Sequence, residues 1–143
     1  MPRLSLWALR AALVYLALGA AAGATLMVAR AAGAYQSFVW LIPLHIEFML
    51  LGWTVQLAMA VSYWILPRRR SGPVRGNERL AVTAFIVING GVLTASLAGL
   101  LETGVLATAG HGAEVLGAFT FAVSAWHRLP RSIVLRGRSL PII

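Results

Sequence analysis

Four apolar runs, each about as long as a bilayer is thick when coiled as helix, constrain this chain more than any motif in it. A spanning α-helix needs about 20 consecutive, mostly apolar residues. The first run is AALVYLALGAAAGATLMVA, residues 11–29, and the second covers 41–66. The third is LAVTAFIVINGGVLTASLAGLL, residues 80–101, and the fourth covers 106–126. Inside a membrane every backbone N–H and C=O must find its partner within the protein. Four such runs on short links predict an all-α integral membrane protein: a single domain over residues 1–143 folded as a four-transmembrane-helix bundle. Composition agrees, because only 11% of residues are charged whereas soluble domains carry about 25%.

The net charge of +8 comes entirely from arginine, with no lysine or aspartate in the chain. Arg3 and Arg10 precede the first run, and Arg68, Arg69, Arg70, Arg75 and Arg79 lie between the second and third. Arg128, Arg131, Arg136 and Arg138 follow the fourth, while Arg30 stands alone on the other side. Positive charge collects on the cytoplasmic side. Both termini are therefore expected inside the cytoplasmic membrane, with the heads of the second and fourth helices toward the outer face. Arginines placed this way are explained by topology and anionic lipid headgroups, so no nucleic-acid partner is expected. The absence of cysteine excludes disulfides, thiolate metal sites and covalently attached c-type haem. The basic N-terminus and the small residues of ARAAGA also fit a signal peptide, but the apolar run exceeds a usual signal core. A retained first helix is expected.

Small residues mark two helices. Gly19 and Gly23 stand in GxxxG spacing on the first; Gly90, Gly91, Ala95, Ser96 and Gly99 lie on the third. Such residues let helices approach closely in lipid, and a flat cofactor would also need a smooth helix face.

Ionisable residues inside a span cost about 2.5–3.5 kcal/mol each and are functional by default. The second helix carries His45 and Glu47, and the fourth carries His111 and Glu114. Glu102 falls at the outer boundary, His127 reads as a solvated end residue, and Asn89 is suited to a hydrogen bond across helices. Helical periodicity puts His45 and Met49 on one face with Glu47 elsewhere, and His111 and Glu114 together on another. Two readings stay open on the residues alone. One is a structural network, His45 with Glu114 or His111 with Glu47. The other is a proton or cofactor site in which two imidazoles clamp a haem iron inside a dry apolar slot.

The string HIEFMLLGWTVQLAMAVSYWILPR, residues 45–68, resembles the second transmembrane helix of haem-copper oxidase subunit I and its nitric-oxide-reductase relatives. The matching residues are His45, Gly52, Trp53, Tyr63, Trp64, Leu66 and Pro67; the segment AWHRLPR, residues 125–131, is weakly similar to SYWILPR. The resemblance implies that His45 ligates a low-spin haem from the outer half of the membrane. It makes the chain a membrane b-type haem-binding protein for electron transfer, or for binding a gas such as nitric oxide or oxygen. His45 and His111 are then the axial iron ligands. Met49, Gly52, Trp53, Glu47 and Glu114 surround the cofactor: Gly52 and the third-helix glycines leave room for the macrocycle, Trp53 packs near it, and the glutamates orient imidazoles or contact propionates.

With three histidines in all and no His-His pair, one chain lacks the ligands of an oxygen-reducing haem-copper centre. Neither copper nor catalytic residues are expected. That family's subunit is built of three pseudo-symmetric four-helix arcs, so a one-arc relative suggests a homotrimer meeting through the small-residue faces of its first and third helices. A respiratory-chain donor or acceptor would be its redox partner. The alternative expectation is a non-haem accessory or assembly subunit of a respiratory membrane complex. A small transporter with a carboxylate proton path ranks below both.

Overall fold

The computed structural model of the chain describes residues 1–66, 77–101, 103–126 and 128. Arg68, Arg69, Arg70, Arg75, Glu102, His127, Arg131, Arg136 and Arg138, together with Pro67 and Pro130, lie outside the described residues.

The described residues are all-helical, with four principal helices among them: α1 (Arg3–Ala31), α2 (Leu41–Ile65), α3 (Glu78–Leu101) and α4 (Gly104–Trp126). Of these, α1, α2 and α3 are long and apolar enough to cross a membrane. Their outward faces carry Leu13, Val14, Leu18, Ile46, Leu50, Ile86, Leu93 and Leu97, all exposed. Apolar surface of that extent has no place in water. This is a membrane protein.

Each boundary has a local cause. The expected start of α1 at residue 11 is too late, because the helix begins at Arg3. Arg10 bounds the apolar run but not the helix: its side chain is exposed while Leu4, Ala8 and Ala12 face inward. At the other end, Gly33 takes a positive φ of 70°. Its N–H bonds the Arg30 carbonyl, and the Ala34 N–H reaches back to the Ala29 carbonyl. This is the Schellman termination, which favours glycine at that position. A short 3-10 turn, Tyr35–Phe38, then leads into α2. Asn77 caps α3, its Oδ1 accepting from the backbone N–H groups of Arg79 and Leu80. Leu66 leaves α2 with extended ψ of 137°, as a residue before proline must.

α2 is not uniform. Phe48–Val55 is π-helical, and within it the Thr54 hydroxyl donates to the Met49 carbonyl at 2.8 Å. Such widened turns inside α-helices are frequent at functional sites.

The helices alternate in direction. At one end Leu4, Tyr63 and Ala81 form a buried cluster with Phe121 against it, bringing together the start of α1, the end of α2, the start of α3 and the end of α4. At the other end Gly23 faces His45, and Gly99 faces Pro43. Arg3, Arg10, Arg79 and Arg128 thus share one end, with Arg30 at the opposite one.

The small-residue faces are consumed inside the chain. Gly19 and Gly23 of α1 seat Met49 and His45 of α2, and Gly99 seats Pro43. The tightest seam joins α3 to α4: a Cβ on Gly110 would lie 2.6 Å from the Ala95 nitrogen, and Gly117 receives Ile88. These glycines of the expected inter-chain faces pack against the chain's own helices. Gly90 alone of the third-helix glycines faces open space.

Arg128, at the arginine-rich end, is buried, with 4% exposure. Its guanidinium donates to the carbonyls of Tyr63 and Leu66 and lies 4.8 Å from the Tyr63 ring centroid. Those carbonyls end α2, where a cation complements the helix dipole.

Candidate functional site

The head of α2 presents two ionisable side chains to different neighbours. His45 turns to α1. Its ring lies on Gly23, where any Cβ would come within 2.7 Å of Cε1, and its Nδ1 lies 2.8 Å from the Gly19 carbonyl oxygen. A carbonyl only accepts, so Nδ1 is the donor in this contact, and a neutral ring would keep its lone pair on Nε2. Metal-binding histidines are commonly oriented in this way, by an Nδ1–H bond to a backbone carbonyl. His45 lines a groove of about 230 Å³ together with Gly23, Leu26, Met27, Arg30 and Tyr35. Arg30 lies 5.9 Å from the Tyr35 ring centroid, so a cation and a phenol stand at the same groove. Met49 shares the α1-facing side of α2 with His45, its sulfur against Gly19.

Glu47 turns away from α1 and meets α4. His111 Nδ1 lies 3.2 Å from Glu114 Oε2 and 3.5 Å from Glu47 Oε1. One donor atom from each of these residues falls within 4.8 Å of the others. Both carboxyl groups are buried, Glu47 at 8% and Glu114 at 5% exposure, whereas the His111 side chain is 56% exposed. Gly91 of α3 makes the space for Glu114, since a Cβ there would lie 2.7 Å from Glu114 Cγ.

A third polar group lies deeper. Tyr15 of α1 donates its hydroxyl to Asn89 Oδ1 at 3.1 Å, and Gln56 Nε2 donates to the same oxygen at 3.1 Å. Asn89 in turn donates to the Phe85 carbonyl at 2.7 Å. Gln56 is fully buried, so this network ties α1, α2 and α3 together at their middle.

The structure thus brings together three of the residues singled out in the sequence, Glu47, His111 and Glu114, and sets His45 and Met49 apart from them on the α1 side. Within one chain the two histidines do not converge, because one turns to Gly19 and the other to the glutamates. The expected His111–Glu47 pairing is present, with Glu114 added. Asn89 bonds across helices as expected. Gly52 leaves no free slot: a Cβ there would come 2.6 Å from Tyr15 Cγ, so the phenol ring fills it. Trp53 is half-buried against the central core of Tyr15, Phe48 and Ile88.

Sequence reasoning missed Gln56 and Tyr15. Gln56 and Asn89 are the only amide side chains in the middle of the four apolar runs, and that signal would have paired them. Comparison with protein-family models, with curated proteins and with solved structures finds no match, so the resemblance of α2 to haem-copper oxidase subunit I rests on its own residues.

Proposed function

We propose that this chain is a multi-pass protein of the cytoplasmic membrane, all four helices spanning and both termini inside, that holds a b-type haem on His45. The iron's role is to bind a small diatomic gas such as nitric oxide. The observation that carries the reading is the seat of His45. Gly23 gives the ring room, the Gly19 carbonyl fixes Nδ1–H, and Nε2 keeps the lone pair an iron needs, beside an open groove. The outward residues of α4, Val105, Val115, Leu116 and Phe119, are exposed and apolar, which supports a fourth span. The arginine-rich end supports the orientation.

The residues fit the group in kind. His45 would be the ligand, Leu26 and Met27 would supply apolar contact, and Arg30 with Tyr35 would supply donors suited to a propionate. When bound, the porphyrin contributes a gas-binding iron whose behaviour follows its axial ligands. Gas binding is preferred to electron transfer because the groove lining contains one histidine and not two, while His111 is engaged with Glu47 and Glu114.

The test is carbon monoxide added to the dithionite-reduced, haem-loaded protein in detergent. A shift of the Soret band on adding the gas is expected, as for an iron with one exchangeable position. An unshifted six-coordinate spectrum would move the assignment to electron transfer, with a second copy supplying the other ligand. A chain that stays colourless when haem is supplied would leave the accessory-subunit reading.

A further inference from the structure

The acid-rich cluster on the far side of α2 from His45 has a different chemistry. Glu47, His111 and Glu114 offer two carboxylates and one imidazole, and none of the three belongs to the groove that His45 lines. We propose that these residues form a site for a divalent transition-metal ion, with zinc its simplest occupant.

Donor counting gives the first argument. When both are ionised, the two carboxyl groups bring four acceptor oxygens, and His111 Nδ1 can offer them a single N–H. Glu47 Oε2 and Glu114 Oε1 are buried without a hydrogen-bond partner among the described residues. Neither carboxylate has an arginine as ion-pair partner among those residues. A buried group of acceptors short of donors is costly, and a cation at its centre removes the shortage.

Geometry gives the second argument. Zinc bonds to imidazole nitrogen and carboxylate oxygen are about 2.0–2.2 Å, and tetrahedral ligands at that radius stand about 3.4 Å apart. Two of the three separations, 3.2 Å and 3.5 Å from His111 Nδ1, bracket that edge, and all three ligand atoms lie within 4.8 Å of one another. Three protein ligands with a fourth position open is the pattern of an exchangeable zinc site and not of a closed structural one. Helical bundles build metal sites in the same way, from carboxylates and histidines three residues apart on facing helices; here the order is His111 then Glu114.

Access and support are also present. His111 is more than half exposed, so the cluster reaches the surface of the helix bundle. The carboxylates are held from behind by three helices: Glu47 on α2 directly before the π-helical stretch, Glu114 on α4, and Gly91 of α3 against the Glu114 side chain.

The experiment uses the full chain in detergent, stripped with EDTA and then titrated with Zn²⁺ alone by calorimetry. One Zn²⁺ per chain is expected. Glu114→Gln and His111→Ala should each weaken binding by at least about 100-fold, more than the loss of an outer-shell partner costs. Glu78→Gln, an exposed acidic residue at the other end of the molecule, should bind as wild type does. Circular dichroism and elution volume establish that each variant is folded. As a check needing no variant, Co²⁺ bound to the wild-type chain should show visible d–d absorption that one equivalent of Zn²⁺ removes. A wild-type chain that takes up neither ion overturns the proposal, and so does a Glu114→Gln variant binding zinc as tightly as wild type. Because His45 is no part of the site, a failure here leaves the haem reading standing, and the converse holds.

Discussion

At the scale of the residue, the chain places its polar groups in three separate settings. The imidazole of His45 rests on a glycine and a carbonyl, the carboxylates of Glu47 and Glu114 share His111, and the amides of Gln56 and Asn89 bond each other. The first two settings were partly legible. Helical spacing separates the His45 face from the Glu47 face, and an ionisable group in an apolar run demands a partner. The third was not read, because an uncharged amide raises no alarm beside a histidine. Its energetics make a direct prediction. Asn89→Leu removes the acceptor shared by Tyr15 and Gln56, leaving the buried Gln56 amide unsatisfied, and should cost about 1–2 kcal/mol of stability. The double variant Gln56→Leu, Asn89→Leu should cost less than the sum of the two single changes, since both partners leave together. Thermal unfolding in detergent measures all three; strictly additive losses would mean that the amides do not interact.

At the scale of the element, apolar run length located all four helices, and the errors fall at their ends. Arg10 stands inside α1 and not before it, because a charged side chain at a membrane boundary can point outward while the backbone hydrogen bonds continue. The termination at Gly33 depends on a single positive φ, which no hydrophobic pattern encodes. Which glycine serves which helix was also hidden: Gly90 and Gly91 are neighbours in sequence, yet one faces open space and the other meets Glu114. That contrast is testable on the α3–α4 seam. Gly110→Leu would drive a side chain into the Ala95 backbone and should destabilise the chain by at least about 1–3 kcal/mol, the usual cost of overpacking. Gly90→Leu should change stability by about 0.5 kcal/mol or less, as at other uncrowded surface positions. Equal thermal shifts for the two variants would contradict the seam as described.

At the scale of the whole molecule, four alternating helices create two polar sites in the half opposite the arginine-rich end, on opposite faces of the same helix. That both lie in the half opposite the arginine-rich end was legible in the sequence, from helix count and the positions of the arginines along the chain. Their separation was not, because it depends on α1 approaching α2 at Gly19 and Gly23 while α4 approaches it at Glu47. A single bis-histidine centre was the simplest arrangement the sequence allowed, and the packing divides it between two settings. On the proposed reading haem is held by His45 alone, and haem content per chain tests that proposal most directly. Wild type, His45→Ala and His111→Ala are produced with haem supplied, purified in detergent and assayed for bound haem and Soret absorption. The expected result is haem in the wild type and in His111→Ala, and at least about a tenfold loss in His45→Ala, as for removal of an axial ligand. Retention of haem by His45→Ala, or its loss from His111→Ala with the fold intact, would contradict the account.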